Sequence, residues 1–125
     1  MKRGADGFRL DTANYYAYDR QLRDNPKRPE NSELIEDGQE ANPLSQYITK
    51  YSKDRSENLE FIHFLQKIFN ENGAVSIGEI GSAEGLESTL KLGTDYVKKG
   101  KGLHLAYTFS MLNKNMSAEY LENVL

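Results

Sequence analysis

Alternating apolar and polar positions predict three short strands along the chain. Residues 6–12 alternate, with Phe8 and Leu10 on one face, a period of two that is typical of a β-strand. Residues 74–80 form a β-branched run that predicts a buried strand. A third apolar run predicts a strand at residues 103–109.

Helical periodicity separates the predicted strands. Residues 57–70 carry apolar side chains at helical spacing, with Ser56 as a candidate N-terminal cap and Gln66 on the polar face. A weaker helix is predicted at residues 83–99, and Ser117 is a candidate cap for a last helix at the end of the chain.

The order β, long loop, α, β, α, β, α favours an α/β fold with a parallel sheet and right-handed crossovers. Three βα units are fewer than half of a (β/α)8 barrel, which needs about 250 residues. Residues 14–55 are polar, contain all three prolines and show no sustained period, so we expect a long binding loop within one domain of residues 1–125. Because the first strand starts so near residue 1, we expect the chain to be cut from something larger.

Composition narrows the class of protein. The chain has 125 residues and a formal net charge of −3, which disfavours a nucleic-acid binder. The absence of cysteine excludes a disulfide-stapled secreted protein and leaves other compartments open, of which we expect the cytoplasm. No long apolar run is present, so we expect neither a membrane span nor a signal peptide.

Two acidic residues stand where the first two predicted strands end. Asp11 and Glu79 are each the last residue on their face of the strand, and Arg9 shares the face of Asp11. In a parallel barrel the carboxyl ends of the strands form the active site, and a guanidinium there would hold a neighbouring carboxylate ionised. Position alone leaves chance placement open, because the chain has 19 acidic residues.

Other chemically suggestive residues are less informative. Tyr15 and Phe109 are candidates for stacking on a sugar ring, and packing explains them equally well. His63 and His104 have no second ligand at metal spacing, so structural roles are expected for both and neither a metal nor a cofactor is predicted.

The motifs at the strand ends carry a family resemblance. Residues 4–11, with the sequence GADGFRLD, resemble the fourth-strand motif of glycoside hydrolase family 13, the α-amylase clan. Residues 75–79, VSIGE, are similar to the fifth-strand motif of that family. Residues 19–26 and 102–109 resemble more narrowly the bacterial α-glucosidases of the oligo-1,6-glucosidase and maltase type.

The resemblance implies a fold, a reaction and roles for individual residues. The chain would contain strands 4 to 6 of a (β/α)8 barrel from a retaining α-glucosidase that hydrolyses maltose-like α-glucoside oligosaccharides. Asp11 would be the nucleophile, Glu79 the general acid/base and Arg9 the residue that orients Asp11. Thr12, which follows the nucleophile, implies a preference for α-1,4 linkages. The substrate-binding residues would be Arg9, Thr12, Tyr15 and Phe109.

The family pattern is incomplete in this chain. A third carboxylate and two histidines that the family uses lie on segments the chain does not contain, so we expect weak activity or none from the isolated chain. A non-catalytic sugar-binding or structural relative of the α-amylase clan is the alternative. Exposed sheet edges also predict self-association.

Overall fold

The structure, a computed structural model, describes residues 4–32, 43–81, 86–110 and 116–124. Strands and helices alternate along these residues, as the hydrophobic pattern predicts. The elements are β1 (Gly7–Leu10), α1 (Ser56–Glu71), β2 (Val75–Glu79), α2 (Leu86–Tyr96), β3 (Leu105–Tyr107) and α3 (Ala118–Val124). Each strand is shorter than its predicted run, and β1 ends one residue before Asp11.

The three strands form one parallel sheet in the order β1-β2-β3. Arg9 on β1 is in register with Ile77 on β2, and Glu79 at the end of β2 is in register with Tyr107 at the end of β3. The predicted parallel α/β arrangement is therefore confirmed for this part of the chain. Because the strands are parallel, their carboxyl ends lie at the same edge of the sheet.

The core lies between one face of the sheet and the helices. Its fully buried members come from the segment after β1, α1, the residue after β2, α2 and the residues before β3: Ala13, Ile62, Ile80, Tyr96 and Leu103. The other face of the sheet is largely uncovered. Val75 and Leu105, which are on that face, are 51% and 54% exposed.

Two details of α1 differ from the prediction. The N-cap residue is Arg55, which is extended, so Ser56 is the first helical residue and its hydroxyl donates to Glu57 instead of capping the helix. Gln66, predicted on the polar face, is 4% exposed. Its side-chain oxygen accepts a hydrogen bond of 2.6 Å from the Ser76 hydroxyl on β2, which satisfies a buried polar group that periodicity alone places in solvent.

The described parts of residues 14–55 are held together by hydrogen bonds. An antiparallel bridge joins Lys27 to Tyr47, and the Ile48 amide donates to the Pro26 carbonyl over 2.8 Å. Short 3₁₀ helices occupy Ala13–Tyr15 and Pro43–Gln46. The two described ends of this long segment therefore lie side by side.

An ion pair orders the first part of that segment. Arg23 donates from two guanidinium nitrogens to the Asp19 carboxylate at 2.9 Å, and its guanidinium lies 4.3 Å from the centre of the Tyr51 ring. These hydrogen bonds hold the pKa of Asp19 at about 2, below its ordinary value of 3.8.

The lowered pKa predicts an acid-sensitive contribution to folding. Because the unfolded chain binds the Asp19 proton more tightly, the contribution is complete above about pH 4 and is lost as pH falls through 3.8 towards 2. We expect Asp19→Asn to lower the free energy of unfolding in urea at pH 7, and the difference from the parent chain to shrink near pH 2.5. The control is Asp24→Asn at an exposed position. A difference independent of pH would contradict the prediction.

Among the described residues, no helix has the length and apolarity needed to span a membrane.

Candidate functional site

The site begins with Arg9 on β1, whose side chain extends along the exposed face of the sheet. One terminal nitrogen, Nη1, donates to the Asp11 carboxylate over 2.6 Å. The other, Nη2, forms an ion pair with Oε2 of Glu79, and Nε donates to the Tyr107 hydroxyl over 2.8 Å. One guanidinium therefore joins the ends of all three strands.

Tyr107 closes this arrangement from the third strand. Its hydroxyl accepts from Arg9 and donates to Oε2 of Glu79 over 2.9 Å, as the register of the two strand ends allows. Tyr107 is a site residue that the sequence motifs do not predict. The sequence did contain one signal for it: Tyr107 stands two residues before Phe109, near the end of the same predicted strand.

The two carboxylates have different surroundings. The Asp11 side chain is 72% exposed, whereas that of Glu79 is 13% exposed. Hydrogen bonds to Asp11 and Tyr107 raise the pKa of Arg9 further above its ordinary value, so the guanidinium is a fixed positive charge between the two acids. The site thus holds one open carboxylate and one enclosed carboxylate.

Buried polar contacts fix the segment that follows Asp11. Asn58 on α1, fully buried, donates to the Ala13 carbonyl over 2.7 Å and also contacts the Tyr96 hydroxyl. Asn14 donates to Asp54 over 2.5 Å and to the Gly81 carbonyl over 2.8 Å. The backbone behind the exposed carboxylate is therefore anchored to α1 and to the segment after β2.

The same anchoring affects a buried tyrosine. Burial raises the pKa of Tyr96 to about 12, so its hydroxyl stays protonated over the physiological range and supports the contact with Asn58.

Tyr16, near the exposed carboxylate, donates from its hydroxyl to the Asp11 carbonyl over 2.9 Å. Partial burial and then the charge of Asp11 raise the pKa of Tyr16 as well.

The remaining predicted site residues differ in how close they lie to Asp11 and Glu79. Thr12 adopts a left-handed conformation at φ 41°, which is unusual for a β-branched residue. Phe109 is 40% exposed, with its ring 6.4 Å from that of Tyr107 and against Gly81. The Tyr15 ring lies 5.1 Å from the Lys53 ammonium. Within the part of the chain that the structure describes, Tyr15 makes no hydrogen bond or ring contact with Asp11 or Glu79.

His104 belongs to a polar cluster on the core side of the sheet. Its Nδ1 accepts from the Ser76 amide over 3.1 Å, its own amide donates to the Ser76 hydroxyl over 3.0 Å, and Gln66 lies against its ring. Within the described ranges, no group of three or more histidine or acidic side chains is arranged to hold a metal ion.

Retaining glycoside hydrolysis is a reaction that uses two neighbouring carboxyl groups. That reaction needs one carboxylate to attack the sugar and one carboxyl group to protonate the leaving oxygen, about 5 to 5.5 Å apart. Adjacent strands lie about 4.8 Å apart, and here a single guanidinium reaches both acids. Two carboxylates held by one guanidinium at adjacent strand ends are compatible with glycoside hydrolysis.

Comparisons with known proteins point to the same class of protein, the glycoside hydrolases and related transfer enzymes. The chain is 37% identical over 113 residues to a probable α-glucosidase of Rhizobium meliloti, a match that covers 90% of this chain and 20% of the relative. It is similar to the crystal structure of the α-glucosyl transfer enzyme XgtA, with a TM-score of 0.82, 35% identity and coverage of 98% of this chain and 22% of that one.

A more distant structure shares the fold. It is a family GH13_31 enzyme with a TM-score of 0.58 and 18% identity, matched over 87% of this chain and 18% of that one. A comparison with protein-family models gives no match.

The resemblance to glycoside hydrolase family 13 and its α-glucosidases is confirmed by a probable α-glucosidase and an α-glucosyl transfer enzyme, and the family GH13_31 enzyme shares the fold. The chain matches one segment of them and spans about a fifth of the length of the curated relative. Within that segment lie both acids and Arg9.

Proposed function

We propose that the chain is a segment of a retaining enzyme that acts on α-glucosidic bonds, with Asp11 as nucleophile and Glu79 as general acid/base. The observation that carries the proposal is the Arg9 guanidinium, which holds both carboxylates at the carboxyl ends of adjacent parallel strands. The similarity to an α-glucosidase and an α-glucosyl transfer enzyme supports the choice of substrate class.

The proposed reaction has two steps. The Asp11 carboxylate attacks the anomeric carbon, the glycosidic bond breaks, and the leaving oxygen takes a proton from Glu79. Glu79, now a carboxylate, takes a proton from water as the water oxygen attacks the glycosyl ester, which releases glucose and restores Asp11. The exposure of Asp11 supports its role as the group that meets the sugar.

Neighbouring residues suit substrate binding. Arg9 orients the Asp11 carboxylate through the hydrogen bond from Nη1. Thr12, held in a left-handed conformation beside the nucleophile, is proposed to set the preference for α-1,4 linkages, and backbone strain of this kind clusters at functional sites. The partly exposed rings of Tyr15 and Phe109 are proposed to contact the apolar faces of the oligosaccharide.

The wider architecture follows from the same resemblance. We infer that β1, β2 and β3 correspond to strands 4 to 6 of a (β/α)8 barrel and that residues 14–55 form a long loop within that catalytic domain. The uncovered face of the sheet, with Val75 and Leu105 exposed, supports this inference, because the inner face of a barrel is closed by the remaining strands.

A graft tests the proposed function. The segment of the Rhizobium relative that matches this chain is replaced by the chain itself, and glucose release from maltose and p-nitrophenyl α-glucoside is measured. We expect hydrolysis by a graft that unfolds cooperatively. A folded graft without activity towards either substrate would contradict the proposal.

The isolated chain should behave differently from the graft. We expect little or no glucose release, because the chain spans a fifth of its relative and lacks the third carboxylate that the family resemblance requires. Clear turnover that Asp11→Asn abolishes would contradict this expectation.

The isolated chain should also self-associate. Val75 and Leu105 on the uncovered face of the sheet are both more than half exposed. The exposed sheet face and strand edges are therefore proposed to pair with other copies. Sedimentation velocity should show species larger than 14.2 kDa whose share grows with concentration. A single monomer peak at all concentrations would contradict this.

Glucosyl transfer is a second candidate, favoured by the similarity to XgtA. It differs from hydrolysis only in the second step, where an acceptor hydroxyl replaces water at the glycosyl ester. Incubation of the graft with p-nitrophenyl α-glucoside and an added alcohol distinguishes the two. Transfer yields the alkyl α-glucoside, whereas hydrolysis alone yields equal amounts of glucose and p-nitrophenol.

A further inference from the structure

We propose that Tyr107 is a positioning residue that fixes Glu79 in one orientation through its hydroxyl, an inference that rests on the proposed function of Glu79. The hydroxyl lies between the Nε of Arg9 at 2.8 Å and the Oε2 of Glu79 at 2.9 Å. It accepts from the first and donates to the second. Its single proton is thereby committed to the carboxylate.

This bonding pattern distinguishes the two oxygens of Glu79. Oε2 receives the hydrogen bond from Tyr107 and the ion pair from Arg9. Among the residues that the structure describes, no hydrogen bond is recorded to Oε1. A proton on the Glu79 carboxyl therefore belongs on Oε1, because Oε2 already faces two donors. Oε1 is the atom from which the leaving oxygen would receive its proton.

Charge balance supports the same assignment. With Asp11 ionised and Glu79 protonated on Oε1, one positive guanidinium faces one carboxylate, and the three-strand cluster is neutral. As Asp11 becomes the glycosyl ester and Glu79 releases its proton, the single negative charge passes to Glu79, where Arg9 and the Tyr107 hydroxyl stabilise it. Tyr107 thus assists both forms of Glu79 without touching the sugar.

The position of Tyr107 in the sheet makes the contact rigid. It is paired with Glu79 in the parallel register, and its ring also lies 5.7 Å from the Arg9 guanidinium carbon and edge-on to Phe109. A phenylalanine at this position keeps the ring contacts and removes only the hydroxyl. Tyr107→Phe is therefore a test of the hydrogen bonds alone.

The first experiment uses the 125-residue chain and requires no turnover. The carbon-13 NMR signal of the Glu79 carboxyl is recorded at one fixed pH in the parent, in Tyr107→Phe and in a control, Tyr16→Phe, which removes the hydroxyl that donates to the Asp11 carbonyl. We expect the Glu79 signal to move in Tyr107→Phe, because the hydrogen bond to Oε2 is lost, and to stay unchanged in Tyr16→Phe. An unmoved Glu79 signal in a folded Tyr107→Phe chain would overturn the proposal.

The second experiment measures the consequence in the graft. Tyr107→Phe should lower kcat about tenfold with KM nearly unchanged and should move the pH profile of kcat/KM. A raised KM with an unchanged pH profile would overturn the positioning role. This kinetic test stands on its own if the isolated 125-residue chain gives no resolved NMR spectrum. If Glu79→Gln leaves the graft active while the NMR shift is present, the proposed function fails and the hydrogen-bonded bridge stands.

Discussion

Asp11→Asn should reduce hydrolysis by the graft by at least about 10³-fold, the largest effect that the structure predicts. The amide occupies the same space and can still contact the Arg9 guanidinium, so the loss reports nucleophilicity and not folding. Initial rates on p-nitrophenyl α-glucoside measure the effect. Asp6→Asn on the same segment is the control, since Asp6 is exposed and touches β2 through its backbone carbonyl.

The companion variant Glu79→Gln separates the two acids. Loss of the general acid should cost about 10²- to 10⁴-fold on maltose and less on p-nitrophenyl α-glucoside, whose leaving group needs little protonation. Glu60→Gln, an exposed glutamate on α1, should leave both rates unchanged. Equal losses on the two substrates would contradict an acid role for Glu79.

Ile62→Ala should destabilise the isolated chain by about 2 to 5 kcal/mol, a large part of the about 5 to 15 kcal/mol typical of a domain. Ile62 is fully buried in the centre of the core, between α1, α2 and the sheet. Removing its side chain leaves a cavity that the surrounding structure cannot fill completely. Urea unfolding followed by circular dichroism measures the effect.

A residue on the same helix provides the matched control. Phe64 is larger than Ile62 but 58% exposed, and it contacts the ring of Phe61 at the surface. Phe64→Ala should therefore cost less than about 1 kcal/mol. Similar losses for the two variants would contradict the placement of the core.

The outline of the fold was predictable because its signals are local. Period-two alternation located β1, a β-branched run located β2, helical spacing located α1, and their order predicted a parallel sheet. The hydroxyl of Ser117 accepts from the Tyr120 amide over 3.0 Å, as the predicted cap requires. The N-cap of α1 was displaced by one residue to Arg55, because sequence does not reveal where the extended backbone turns helical.

The contacts between elements were less predictable. The approach of Asp11 and Glu79 follows from the rule that parallel strands end at one edge, but the role of Tyr107 depends on the register of β2 against β3, which short strands specify weakly. Gln66 was misplaced for a similar reason. Its partners, Ser76 and His104, belong to other elements, so helical periodicity could not detect them.

The pairing of Asp11 and Glu79 as nucleophile and acid/base is tested most directly by trapping the covalent intermediate. The Glu79→Gln graft is incubated with a fluorinated α-glucosyl fluoride, whose leaving group needs no acid and whose glycosyl ester hydrolyses slowly, and the digested protein is analysed by mass spectrometry. We expect one glycosyl adduct, on the peptide that contains Asp11. An adduct on another residue, or none in a graft whose parent turns over, would contradict it.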